Sequence, residues 1–155
     1  MDQKFMKAAI ELAIHGVENR AGGPFGALVV KDGKIVGQGH NQVTSTNDPT
    51  AHAEVVAIRD ACKNLGSFQL EDCEIYTSCE PCPMCLGAIY WARPKKVYYA
   101  CTKEDAAAIG FDDQFIYHEL ELPYESRALP MVHTMREEGL EAFRRWTTLS
   151  DKTEY

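Results

Sequence analysis

Three cysteines at equal spacing, Cys79, Cys82 and Cys85, stand in the run TSCEPCPMC from Thr77 to Cys85, and upstream His52 and Glu54 sit two residues apart in AHAE. Thiolates and an imidazole are the ordinary ligands of zinc, and a carboxylate beside them is the ordinary proton carrier. A helix opening at Pro81 would put Cys82 and Cys85 three positions apart on one face of its first turn. Both sulfurs then reach one ion, and the free N–H groups of that turn favour thiolate over thiol. His52 can supply a nitrogen if its own helix also starts at the carboxyl end of the sheet. Two arrangements compete. If His52, Cys79, Cys82 and Cys85 all bind, the site is closed and structural, and Glu54 has no task. If only His52, Cys82 and Cys85 bind, a water takes the fourth position with its pKa lowered to about 7, and Glu54 can accept its proton and pass it to a substrate nitrogen. An iron–sulfur reading of the same run is the weaker one, because the fourth position of the bacterial ferredoxin pattern is Ile89 here.

The elements that must position these residues are set by pattern. Phe5, Ala9, Leu12 and Ala13 recur at helical spacing until Gly22-Gly23-Pro24 breaks the run. FGALVVK and KIVGQGHN flank Asp32-Gly33, the signal of a tight hairpin. AHAEVVAIRDACKNLG is a second helix, with Thr50 as its expected N-cap and Gly66 as its stop. CEIYTS reads as a buried strand, PCPMCLGAIYWA as a helix with Pro81 at its first position, and KVYYAC as the next strand, so the sheet is locally parallel there. FDDQFIYHEL is expected to form a short helix, PMVHTM a fifth strand, and EEGLEAFRRWTTL a last helix before the polar tail. The sum is an α/β fold: a three-layer α/β/α sandwich around a mixed five-stranded sheet, one domain over residues 1–155, with 150–155 a tail able to cover the active site.

Composition narrows the classes. With 155 residues, of which 45 % are hydrophobic, the chain can bury one core of its own. A net charge of −7 with scattered lysines and arginines argues against a nucleic-acid partner, which needs a positive stripe. The amino-terminal stretch is charged throughout and no run of about 18 apolar residues occurs, so a cytoplasmic protein with no membrane partner is expected. In that compartment six cysteines serve metals or cores rather than disulfides.

His52-Ala53-Glu54 with Pro81-Cys82-Pro83-Met84-Cys85 is the H-x-E and P-C-x-x-C signature of the zinc-dependent base deaminases. Together with PFGALVV from Pro24, GHNQ around Asn41 and GAIYWAR after Cys85, it makes nearly the whole chain resemble the cytidine and guanine deaminase superfamily. The resemblance implies one zinc per chain on His52, Cys82 and Cys85. It implies a proton shuttle at Glu54, a packing role for Cys79, base binding by Asn41, and an Ala53 N–H facing the activated water. It also implies a homodimer.

Substrate is read from the segment beyond the fourth strand. AIGFDDQFIYHEL from Ala108 and the terminal Glu154-Tyr155 resemble the bacterial guanine deaminase branch, which implies hydrolysis of guanine to xanthine and ammonia. Guanine presents N1–H and an exocyclic amine side by side, and one carboxylate accepts both. Asp112 or Asp113 could supply it; the resemblance favours Asp113, which would also help move a second proton, while spacing alone does not choose. Phe25, Trp91 and Tyr155 could wall a flat purine, the last in its own subunit or a neighbour's. Plainer readings stand beside these: Asp112-Asp113 as a helix cap, Trp91 as core, Tyr155 as a frayed end, and Cys62, Cys73 and Cys101 as core thiols. The rival functions are deamination of cytosine, a guanosine-type nucleoside or tRNA adenosine, and a non-catalytic zinc module closed by Cys79.

Overall fold

Asp32 and Gly33 both adopt positive φ, 49° and 73°, and so turn the chain tightly between β1 (Gly26–Lys31) and β2 (Lys34–His40), which pair antiparallel. The computed structural model describes residues 2–155. It divides into two compact units, Met1–Gln114 and Phe115–Tyr155. In the first unit β3 (Cys73–Cys79) adds antiparallel to β1, and β4 (Lys96–Cys101) adds parallel to β3, giving the order β2-β1-β3-β4.

Strand alternation assigns the two faces of this sheet. Leu28, Val30 and Tyr76 point to one side and bury Phe5 and Ala9 of α1 (Gln3–Glu18), a helix capped by the Asp2 carboxylate. Ala27, Val29, Cys73 and Ile75 point to the other and bury Ala53, Ala57 and Ala61 of α3 (Ala53–Leu65), with Ile89 and Ala92 of α4 (Pro83–Ala92). A short helix α2 (Val43–Thr46) precedes α3. The approach of α3 is unusually close: a Cβ on Gly39 of β2 would lie 2.7 Å from both the Ala53 carbonyl oxygen and the Ala57 nitrogen. Glycine there seats the amino end of α3, and with it His52, directly on the sheet.

Two expected helix starts are corrected. His52, not Thr50, is the N-cap of α3, because the Thr50 hydroxyl and N–H are both turned to the Asp48 carboxylate, at 2.6 and 2.8 Å. The first position of α4 is Pro83, not Pro81: Cys82 precedes a proline, which bars the helical region, and it sits extended at ψ 168° as the N-cap.

Beyond β4 come α5 (Lys103–Ala108) and, in the second unit, α6 (Gln114–Glu121 at its boundary), a 3₁₀ turn at Tyr124–Ser126 and α7 (Arg136–Thr148). The expected fifth strand is absent. Residues 130–135 are irregular, and the sheet has four strands. A strand needs a ladder partner; among the described residues the second unit contains no other strand, and Pro130 offers no N–H. None of its helices has a buried residue.

Candidate active site

The site assembles where α3 and α4 begin, at the carboxyl end of β3. His52 caps α3 and Cys82 caps α4, while Cys85 lies three residues into the latter and donates its backbone N–H to the Cys82 sulfur at 3.5 Å. His52 Nδ1 stands 3.5 Å from Cys82 Sγ and 3.5 Å from Cys85 Sγ, and the three ligand atoms all lie within 4.8 Å of one another. This arrangement fits zinc. A tetrahedral ion with sulfur at about 2.3 Å and nitrogen at about 2.05 Å holds those atoms roughly 3.5 Å apart. His52, Cys82 and Cys85 form the zinc-binding site.

Cys79 is not among the ligands. Its thiol turns the other way and donates to the Thr102 carbonyl at 3.4 Å, and burial pushes its pKa up to about 11. Cys82 is the opposite case. The Cys85 side chain hydrogen-bonds its sulfur, with His52 adding a second contact, and these hold Cys82 well below the ordinary thiol range while pushing Cys85 up. The Cys82 contact in turn raises the pKa of His52.

Glu54 follows in the first turn of α3 and is only 6 % exposed. Burial is the main cause of its raised pKa, so its carboxyl takes a proton more readily than a carboxylate in water. Its side chain meets its own backbone N–H and Cys85, and its Oε1 lies 3.5 Å from the Thr77 hydroxyl. Ala53, fully buried, is the first residue of α3, where the helix offers its N–H no carbonyl one turn back.

Asn41 is fixed from behind. Its Oδ1 accepts from the N–H groups of Gly23 at 3.2 Å and Val43 at 3.1 Å, so the amide nitrogen is the end left to donate. A Cβ on Gly22 would collide with that same Oδ1, which makes the glycine a condition of the geometry. Phe25 meets Phe111 edge to face, ring centres 5.0 Å apart at 88°, and this pair ties the segment before Asp112 to the start of β1.

The two aspartates part company. Asp112 Oδ1 accepts from the Gln114 N–H at 2.9 Å, the plain capping contact. Asp113 is half-buried; burial raises its pKa first and the Cys82 charge next, and its own charge raises that of His52. Its carboxylate therefore shares the field of the metal ligands. Trp91 lies on α4, 62 % exposed, and Tyr155 lies in the second unit, 70 % exposed. Of the cysteines read as core thiols, Cys73 is buried and Cys62 half-buried, but Cys101 is exposed on the outer strand β4. Thr77 is a site residue that pattern reasoning misses; a hydroxyl in an otherwise apolar buried strand is the signal that could have found it.

Residues 1–101 match the family model described as the cytidine and deoxycytidylate deaminase zinc-binding region. The chain belongs to that family. Among relatives of this deaminase, a guanine deaminase of Bacillus subtilis (strain 168) is 58 % identical over 153 residues, 99 % of this chain and 98 % of its own. A tRNA-specific adenosine deaminase of Aquifex aeolicus is 37 % identical over 125 residues, 77 % of this chain and 82 % of its own. The X-ray structure of the Bacillus subtilis guanine deaminase superposes with a TM-score of 0.97 at 57 % identity, covering 100 % of this chain and 99 % of that one. The family match contains His52, Glu54, Cys82, Cys85 and Asn41, whereas Asp112 and Asp113 lie beyond it.

Proposed function

We propose that the chain hydrolyses guanine to xanthine and ammonia. The observation that carries this is likeness at 58 % identity to a guanine deaminase over 99 % of the chain, through residues 102–155 as well as the zinc-binding region. When bound by His52, Cys82 and Cys85, zinc lowers the pKa of a water to about 7 and so makes a nucleophile available at neutral pH.

The chain's own residues do the rest. Asn41 holds the base in register by donating from its amide nitrogen. Asp113 accepts N1–H and the exocyclic amine of guanine, a pairing favoured by its half-buried place near the ligands. Glu54 takes a proton from the attacking water and delivers it to N3 as the oxygen joins C2, which becomes tetrahedral. A second proton, through Glu54 or Asp113, lets the amine depart as ammonia. The raised pKa of Glu54 suits this traffic, since a carboxyl poised to hold a proton can also return it. The Ala53 N–H is aimed at the attacking water, Phe25 and Trp91 supply apolar wall, and Tyr155 is a further candidate for wall.

One zinc per chain, a homodimer and a cytoplasmic setting belong to the same reading. Three ligands in one cluster support the first, and cysteines used to bind metal suit the last. Metal analysis per chain and light scattering test the first two.

The deciding experiment measures ammonia release by zinc-loaded protein from guanine, guanosine, cytosine, adenine and a tRNA anticodon stem, with Glu54→Gln alongside. Rapid release from guanine alone, reduced about a hundredfold or more in the variant with zinc retained, is the expected result. Release from another substrate would replace guanine, and no release from any would return the chain to a structural zinc module.

A further inference from the structure

Thr77 lies on the face of β3 that packs against α3, opposite Ala27 of β1 and in line with Ile75 and Cys73. It is 1 % exposed. Its neighbours on that face, along β3 and across on β1, are apolar, and a valine would match both its shape and the β-branched habit of a buried strand. Burying a hydroxyl there is costly unless it is hydrogen-bonded. Its oxygen meets two groups: the Cys79 carbonyl at 3.0 Å and Glu54 Oε1 at 3.5 Å.

The first contact gives the second its direction. Held by the Cys79 carbonyl at the end of its own strand, the Thr77 oxygen cannot wander, and it presents a fixed polar point to one oxygen of Glu54. A hydroxyl carries one hydrogen and two lone pairs: with its hydrogen given to the Cys79 carbonyl, the Thr77 oxygen is left to accept from a protonated Glu54 carboxyl, and it donates to the ionised carboxylate only by releasing that carbonyl. The remaining neighbours of Glu54 are weaker guides. Cys85 can donate to the carboxylate only as a thiol, and a metal ligand is a thiolate. Glu54's own backbone N–H is left as the other fixed contact.

We infer that Thr77 is a positioning residue for the deamination: its hydroxyl pins Oε1 of Glu54 and thereby aims the other carboxylate oxygen at the reacting atoms. The inference rests on the reading of Glu54 as the proton carrier. It concerns orientation, so it predicts a defect in turnover and none in substrate binding or metal affinity.

The test measures kcat, KM for guanine, zinc per chain and melting temperature for Thr77→Val, Thr77→Ala and Thr77→Ser, with Thr77→Val also combined with Glu54→Gln. The valine and alanine variants are expected to lose about tenfold in kcat with KM within about twofold and zinc unchanged. The serine variant, which keeps the hydroxyl, is expected to stay within about twofold of the parent on the same reasoning. In the Glu54→Gln background the valine substitution should change the residual rate by less than about twofold, because the proton-carrying carboxylate that Thr77 positions is already gone. Alanine carries the comparison if the valine protein does not fold. A role in packing alone predicts the reverse, with valine harmless and serine the poorer substitute. Parental kcat in Thr77→Val beside an inactive Glu54→Gln overturns this inference alone, as does a serine variant as slow as valine or a valine effect that persists without Glu54. Parental activity in Glu54→Gln would overturn the proton-carrier reading and this inference with it.

Discussion

The two halves of the site are built differently. His52, Glu54, Thr77, Cys82 and Cys85 come from α3, β3 and α4, whose packing faces make up the larger core cluster, and Glu54, Thr77 and Cys85 are buried. Residues 102–113 make the other half on a short helix and a turn in which Ile109 is 60 % and Phe111 46 % exposed. That half is held by a few contacts: the Thr102–Asp105 capping box, the Lys103 N–H on the Glu80 carboxylate at 3.1 Å, and the Phe25–Phe111 pair. The buried half cannot move without disturbing the sheet; the exposed half can be rebuilt without touching it. The family model stops at residue 101, where this division falls. On the proposed function, reaction type belongs to the core and choice of base to its rim.

Damage to the buried half should therefore abolish activity on every base at once. Removing zinc with a chelator, or replacing a ligand as in Cys82→Ser, is expected to reduce ammonia release to background, with recovery on adding zinc only for the unaltered chain. Zinc content and rate measured together check this. Activity that survives complete metal loss would sever the core from the chemistry.

The exposed half should fail selectively. Asp113→Asn is expected to lower kcat/KM for guanine by about 10- to 100-fold, since an amide cannot accept two donors side by side, while zinc binding is kept. Asp112→Asn should stay within about twofold, because an asparagine oxygen caps the Gln114 N–H as well as a carboxylate does. Equal losses in the two variants would dissolve the distinction drawn between them.

The division also marks how far sequence can reveal structure. The hairpin at Asp32-Gly33, the buried stripe of α1 and the glycine stop of α3 are legible because each is specified locally, by a turn, a period or a cap. The zinc ligands are legible because their spacing has few other uses. The start of α4 is displaced by two residues from its expected place, since either proline could open a helix; only the restriction that Pro83 places on Cys82 decides between them. The capping box of α5 is present in Thr102 and Asp105, a signal easily missed in so short a helix. The supposed strand at 130–135 fails for a different reason. Strand formation depends on a partner, and no pattern within a segment supplies one. Asp112 and Asp113 are indistinguishable until the backbone gives one of them an N–H to cap.

A smaller effect sharpens the meaning of burial. Glu54 is held in the core with its pKa raised, so the folded chain binds its proton more tightly than the unfolded chain does. The folded state is then favoured most below the ordinary glutamate pKa of about 4.3 and loses stability as pH climbs from there through the raised folded value. Glu54→Gln removes that loss. In zinc-free protein at neutral pH it should melt at a higher temperature, and the gain should vanish near pH 4. A lower melting temperature at neutral pH would mean that the carboxylate stabilises the fold it catalyses from.

Cys79 joins the halves, and its substitution should change least of all. It stands three residues before Cys82, at the end of β3, yet its thiol stays protonated at a pKa of about 11 and donates to the Thr102 carbonyl at the entrance of the exposed half. Cys79→Ser keeps a donor there and takes no sulfur from the metal. Activity on guanine is expected within about twofold of the parent, since the serine hydroxyl can still serve the carbonyl. X-ray absorption at the zinc edge should count two sulfurs before and after the change. A fall from three sulfurs to two would mean that the cysteine turns back to the metal when zinc arrives. The site would then be closed and structural, and the separation of a catalytic core from a selective rim would lose its footing, because no position would remain for the water that Glu54 serves.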